Sequence, residues 1–258
     1  MRVLETVAVS FGMYSALPVP RVEWNERNMR YALAAFPLVG VVLGLAGWGV
    51  CALSAASALP MLLRGALLCA LPSVVTGGIH LDGYADTADA LASHAGPARK
   101  REILRDPRCG AFAVIRLCVY FIMYFALCCA AEPTRAALWC MGLGFVLSRA
   151  LSGFLMTVLP VAEGSSLAKA FVSTADKHRV RGLLGALALL LAAVMLWLGR
   201  LTGAAMLCAA ALVIWRYVRV STREFGGTSG DLAGWFLVKA EFWMLAALVA
   251  AQYMERAV

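Results

Sequence analysis

Apolar runs long enough to cross a bilayer recur along the whole of this chain, and no other feature restricts its fold as much. They fall at about 31–53, 61–79, 111–131, 136–158, 183–199, 201–216 and 235–253. A helix needs roughly 20 apolar residues to cross a hydrocarbon core about 30 Å thick. Inside that core every backbone N–H and C=O must find a partner within the protein, so only helices and closed barrels span it. Barrel strands would read as short segments of alternating polarity, and these runs do not alternate. Only 15% of the residues are charged, against about 25% in ordinary soluble domains. The sequence therefore predicts an all-α, polytopic helical bundle of about seven spans, folded as a single integral-membrane domain over 1–258.

Residues 1–20 carry Arg2 and Glu5, are short for a span and end in Leu-Pro-Val-Pro. They predict an interfacial or re-entrant helix stopped by Pro18 and Pro20. No charged stretch, apolar stretch and small-residue cleavage site stand together there, so no removable signal peptide is expected. Orientation follows from basic residues in the connections. With 21–30 in the cytoplasm, that side takes Arg21, Arg27, Arg30, Arg99, Lys100, Arg101, Lys169 and most of the other basic residues. The opposite side takes only Arg135, Arg200 and Arg256. Two spans or a hairpin that does not cross both fit 183–216. The long connections 80–110, 159–182 and 217–234 all fall on the cytoplasmic side, and loops of that length are usually functional or disordered. A net charge of +8 fits this asymmetry together with anionic lipid or an anionic substrate, and no nucleic-acid partner is expected. The eight cysteines lie mostly inside apolar runs without Cys-x-x-Cys spacing, which favours small buried hydrophobes over disulfides or zinc ligands.

The chemistry concentrates in Thr76–Asp89, T-G-G-I-H-L-D-G-Y-A-D-T-A-D. On a helix, Asp82, Asp86 and Asp89 stand at i, i+4 and i+7 and share one face. Three acids so placed repel each other unless a cation lies among them. A hard divalent ion such as Mg²⁺ takes oxygen ligands, keeps several waters and suits carboxylates plus substrate phosphates. A solvated acidic helix start is the plainer alternative. His80, two residues before Asp82, stands at the membrane edge.

Two further clusters lie in the long connections. E-I-L-R-D-P-R-C-G (102–110) places Glu102 and Asp106 four residues apart among Arg101, Arg105 and Arg108. This is either a solvated helix of ion pairs or arginines for phosphate beside acids that extend a metal site. G-G-T-S-G-D (226–231) lines up Gly226, Gly227, Thr228, Ser229, Gly230 and Asp231. Its backbone N–H groups and hydroxyls can cradle phosphate, or it is a flexible connection in which Asp231 caps the last helix. Charges inside spans are costly and mark functional hypotheses. Arg149, near the middle of the fourth run, should face a polar cavity, whereas Lys239 can snorkel to the interface.

Taken together, G-G-I-H-L-D-G-Y-A-D-T-A-D (77–89), E-I-L-R-D-P-R-C-G (102–110), F-P-L-V-G (36–40), S-R (148–149) and G-G-T-S-G-D (226–231) resemble the cobalamin synthases. These are the integral-membrane adenosylcobinamide-GDP ribazoletransferases of cobalamin biosynthesis. The likeness spans nearly the whole chain, and Cys109 with the A-F-A after Gly110 is a minor departure from it. It implies a multi-pass protein of the cell inner membrane whose active site faces the cytoplasm. The implied reaction is a Mg²⁺-dependent phosphoryl transfer. A hydroxyl of α-ribazole or its 5′-phosphate attacks the phosphate next to adenosylcobinamide, and GMP leaves. On this reading Asp82, Asp86 and Asp89 hold the metal, with Glu102 or Asp106 as additions. His80 or a free aspartate takes the proton, and Arg105, Arg108 and Arg149 hold phosphate oxygens. The lipid bilayer is an expected partner; other enzymes of the pathway and a second copy of the chain stay open. A CDP-alcohol phosphotransferase would need Ala-Arg after Asp-Gly, where this chain has Tyr84-Ala85-Asp86. A transporter would show internal repeats and acids at the membrane midplane, and neither is found.

Overall fold

A computed structural model describes residues 2–165 and 173–257; Lys169, counted above with the basic residues, lies outside them. The N-terminal helix α1 (Arg2–Tyr14) is 13 residues long, or about 20 Å, too short to span. Next come α2 (Glu26–Met29), capped by the Asn25 side chain, and α3 (Ala32–Ala35). The long α4 (Pro37–Ser57) follows, with its proline in the first turn, where the missing N–H costs nothing. The remaining helices are α5 (Met61–Thr76), α6 (Ile79–Ala92), α7 (Pro97–Ile103), α8 (Ala111–Ala130), α9 (Arg135–Val158), α10 (Lys177–Gly199), α11 (Leu201–Glu224) and α12 (Gly230–Ala257). Six stretches among the described residues are long and apolar enough to cross a membrane. Residues 183–216 fall into two of these, α10 and α11, which turn over at Arg200.

The second apolar run departs from expectation. The apolar run predicts one span over about 61–79, but α5 stops at Thr76 and the chain turns by 93° into α6. The break follows from Gly77 and Gly78, both left-handed (φ +64° and +80°), whose N–H groups both return to the Ser73 carbonyl. That conformation is open to glycine at no steric cost and closes a helix. The apolar count therefore reaches a seventh span only when the bent pair is taken as one.

The spans pack as neighbours, α4 on α9, α9 on α10, α11 on α12 and α5 on α8, while α6 lies against α12 and α8. The two ends of this bundle differ. At one end the connections are short. Arg64 reaches the Cys129 and Ala131 carbonyls at 3.5 and 3.4 Å, Arg256 pairs with Glu132, and Gln252 exchanges two hydrogen bonds with the Glu132 backbone. At the other end the three long connections lock together. Lys100 pairs with Glu224 at 2.5 Å, and Arg101 reaches Glu163 and the Phe225 carbonyl, each at 3.2 Å. The Ala162 N–H donates to the Thr228 carbonyl and the Thr228 N–H to the Pro160 carbonyl. The expectation that these connections share one side therefore stands in the fold.

Candidate active site

Two small residues set the site's geometry. A Cβ added to Gly83 of α6 would lie 2.6 Å from the Asp231 carbonyl oxygen, and one added to Gly234 of α12 would lie 3.0 Å from the His80 carbonyl. Only glycines let the two helices meet this closely, and the contact draws His80 and Asp82 up to Gly230 and Asp231. Two chambers open there. The first, of about 770 Å³, is walled by Tyr14, Phe36 and Met156 and takes His80, Asp82, Gly230 and Asp231. The second, of about 620 Å³, takes Arg101, Arg105, Glu163, Ser229, Gly230 and Asp231. Gly230 and Asp231, at the start of α12, form the wall common to both.

His80 lies beside the Tyr14 and Phe36 rings, with centroids 6.5 and 5.7 Å away. Its Nε2 is buried without a hydrogen-bond partner. A buried polar atom left alone costs about 1–3 kcal/mol, so this nitrogen is suited to a group that arrives from outside the chain.

The acidic stripe divides. Among the described residues the Asp82 and Asp86 carboxylates make no hydrogen bond or ion pair, and Asp86 feels the charges of Asp82, Asp231 and Asp89. Asp89 is engaged: its Oδ2 accepts the Gly110 N–H at 2.6 Å and its Oδ1 the Ala113 N–H at 2.8 Å. It thus caps α8 from a distance, because Gly110 has no side chain with which to do so. Nor do three Asp, Glu, His or Cys side chains converge as a ligand set among the described residues. The expectation that all three aspartates surround one ion is corrected accordingly. A divalent ion that keeps its waters needs only one or two carboxylates, and the unpaired Asp82 and Asp86, with Asp231 nearby, fit that need.

The 102–110 cluster is also reassigned. Helix α7 stops at Ile103, because Asp106 precedes Pro107 and the residue before proline is pushed out of the α region. Glu102 and Asp106 therefore share no helical face. Glu102 pairs with Arg99 at 2.7 Å in the open. Asp106 grips Arg108 through Nε (2.9 Å) and Nη2 (2.7 Å), and the Arg108 hydrogen bonds hold its carboxyl down at about 2. Neither acid lines a chamber, and nor does Arg108. Arg105 does, with Nη2 on the Glu163 carbonyl at 2.8 Å. Arg101 lines the same chamber; the sequence sets it among the cluster's candidate phosphate arginines, although the resemblance assigns phosphate only to Arg105, Arg108 and Arg149.

The glycine-rich stretch is not a phosphate nest. The Gly227 N–H donates to the Ser221 carbonyl and the Thr228 N–H to the Pro160 carbonyl. The Thr228 hydroxyl meets the Tyr217 hydroxyl and the Met156 sulfur. Thr228 therefore ties down 160–162 and Gly227 packs against that stretch, Gly226 lies beside Arg101 and lines neither chamber, and Gly230 and Asp231 reach the chambers. The cap on α12 is Ser229, whose Oγ accepts the Leu232 N–H, so Asp231 is not needed for it.

Arg149 faces no polar cavity and lines neither chamber. It is fully buried between α9 and α12, with Nη1 on Glu241 at 2.5 Å, on Ser148 Oγ at 3.0 Å and on the Phe145 carbonyl at 2.9 Å. Its guanidinium stands 5.9 Å from the Phe36 ring, behind the aromatic wall of the first chamber. A charge in a membrane interior is supported this way, by a partner on a neighbouring helix, and its assignment to phosphate is withdrawn.

A family model described as cobalamin-5-phosphate synthase matches residues 6–249. The chain is 38% identical over 253 residues to an adenosylcobinamide-GDP ribazoletransferase of Lachnoclostridium phytofermentans, covering 98% of this chain and 96% of that one. It is 34% identical to the protein of that name from Ectopseudomonas mendocina, over 94% and 96% of the two chains. With the Azorhizobium caulinodans protein the identity is 32%, over 90% of each. No solved structure matches the chain.

Proposed function

The chain belongs to the cobalamin-5-phosphate synthase family, and we propose that it transfers adenosylcobinamide phosphate from adenosylcobinamide-GDP to α-ribazole or its 5′-phosphate, with release of GMP and a requirement for Mg²⁺. The observation that carries this reading is the common wall of the two chambers. An apolar, aromatic chamber with an orphan imidazole nitrogen and the Asp82 carboxylate stands next to a chamber bearing two arginines, and Asp231 belongs to the wall between them.

The aromatic chamber suits a flat heteroaromatic base, which can lie against Tyr14, Phe36 and His80. A corrin ring is far larger than the base of a ribazole, and this reading gives the aromatic chamber to the base. The corrin accordingly stays at the mouth and extends its diphosphate into the second chamber. Arg101 and Arg105 take phosphate oxygens there in planar, charge-assisted hydrogen bonds. The ribazole hydroxyl attacks the phosphorus next to the cobinamide. As the new P–O bond forms, the bond to the GMP oxygen breaks and GMP leaves with the electron pair. His80 Nε2 or the Asp82 carboxylate receives the hydroxyl proton. Asp82 and Asp86, with Asp231 facing them, would hold Mg²⁺, which when bound neutralises charge on the diphosphate and on the departing oxygen. The excess of basic residues beside the long connections supports a cytoplasmic active site in the inner membrane.

The test is GMP release by the purified protein. Release should need adenosylcobinamide-GDP, ribazole and Mg²⁺ together, stop with EDTA and return with added Mg²⁺. Release at the same rate without ribazole would mean a hydrolase and sink the assignment.

A further inference from the structure

Away from both chambers, a groove of about 1,010 Å³ runs between α11 and α12 on the outer face of the bundle. Trp215, Trp235 and Trp243 wall it, and Arg216 and Lys239 lie within it. Leu212, Trp215 and Trp243 are at least half exposed, so this face meets lipid in a membrane. Both cations lie inside helices long and apolar enough to span. Arg116, on the exposed face of α8, is near enough for its charge to bear on Lys239, as does that of Arg216. Among the described residues none of the three makes an ion pair or a hydrogen bond. Lys239 has only the Tyr84 ring, 5.5 Å away. Arg149, the other cation deep in these spans, has Glu241. Cations within membrane segments are expected to pair with one another's counter-charges or with backbone carbonyls, and these three lack either.

Their depth says what meets them. Arg216 lies eight residues before the end of α11 and Lys239 nine after the start of α12, so each is about 12–14 Å from a helix end at 1.5 Å per residue. Helix α12, about 40 Å long by the same rise, projects beyond a core about 30 Å thick. After that overhang the two long side chains extend to the level of the phosphates. Tryptophans collect at this level, with the ring in the apolar layer and the N–H toward water. The positive-inside tendency accounts for basic residues in connections, but not for two unpaired cations within spans in a tryptophan-walled groove, with a third, Arg116, near one of them.

We propose that this groove is a binding site for one anionic phospholipid, with the headgroup phosphate among Arg216, Lys239 and Arg116 and an acyl chain between Trp215 and Trp243. The site is separate from the transfer reaction and does not depend on the reading given above.

The experiment uses the full chain, delipidated in a neutral detergent and titrated with phosphatidylglycerol or phosphatidylcholine. Native mass spectrometry and the thermal midpoint are the readouts. One phosphatidylglycerol should be retained and raise the midpoint, while phosphatidylcholine at equal concentration should not. The double variant Arg216→Gln, Lys239→Gln should weaken retention at least tenfold, and Trp243→Leu by less. Equal effects of the two lipids, or full retention by a folded double variant, would overturn the site. So would stabilisation by inorganic phosphate alone, which would make it a site for a soluble anion. Should the double variant not fold, the wild type decides: a photoreactive phosphatidylglycerol must label peptides within 209–243, less so at high salt, and labelling elsewhere or indifferent to salt overturns the proposal.

Discussion

The two ends of the bundle use their polar groups in opposite ways. At the end with short connections the polar groups turn mostly on one another: an Arg64 guanidinium nitrogen on the carbonyls at the end of α8, although its Nε is unpartnered, Arg256 on the Glu132 carboxylate and Gln252 on the Glu132 backbone. At the end with long connections the loops are just as firmly tied, yet among the described residues Asp82, Asp86 and the His80 Nε2 have no hydrogen-bond or ion-pair partner. Self-satisfied polar groups stabilise a fold. Groups held in place but unpaired cost stability and are retained where something else must bind. The difference separates structural polarity from chemical polarity within one bundle, and it can be tested at several points.

The largest effect should fall on the unpaired carboxylates. Asp82→Asn and Asp86→Asn should each lower the transfer rate about a thousandfold, or about 4 kcal/mol of barrier, with unchanged elution in detergent. Asp89→Asn should instead lower the thermal midpoint by the loss of a helix cap, about 1 kcal/mol, and keep most of its turnover per folded molecule. Abolished turnover in a fully folded Asp89→Asn protein would join the stripe together again. Glu241→Gln comes next. Leaving Arg149 buried without its counter-charge should cost about 3 kcal/mol, measured as unfolding in detergent. A raised KM at unchanged stability would return Arg149 to the substrate.

At the opposite end, Gln252→Leu removes two hydrogen bonds and should cost about 2 kcal/mol while kcat/KM stays at the wild-type value. A catalytic defect there would break the comparison. Arg101→Lys and Arg105→Lys keep the charge but lose the planar fork. Each should raise KM for adenosylcobinamide-GDP about tenfold, or about 1.4 kcal/mol, and a pure kcat effect would remove the diphosphate from the second chamber. The smallest effect belongs to Arg108→Lys. Its exposed pair with Asp106 is worth less than about 0.5 kcal/mol, so rate and stability should both stay within twofold of wild type.

Much of the fold was legible in the chain. The apolar runs demanded spanning helices because hydrocarbon offers the backbone no partners. The weakest assignment, 183–216, resolved into two helices. The turn after Thr76 was missed, although Gly77-Gly78 announced it, since hydropathy reads polarity and is blind to φ. In the candidate site, spacing alone put Asp82 and Asp86 on one face of α6, and His80 was singled out by its place beside them. The arginines were harder. Arg101 and Arg105 belong to the chamber and Arg108 does not, and composition cannot rank three guanidiniums within eight residues.

Membership of the membrane class, the grouping of the three long connections and the acidic face of α6 all rest on local pattern, and the sequence alone determined them. Which polar groups stay free was decided only by the tertiary structure. Asp89 is satisfied by Gly110, 21 residues on, and Arg149 by Glu241, 92 residues on. The Thr228 N–H finds its acceptor at Pro160. A carboxylate or guanidinium reads identically in sequence whether or not it is paired. Its partner is fixed by helix packing, and here that packing turns on close contacts such as Gly83 against Asp231, which no spacing rule can see.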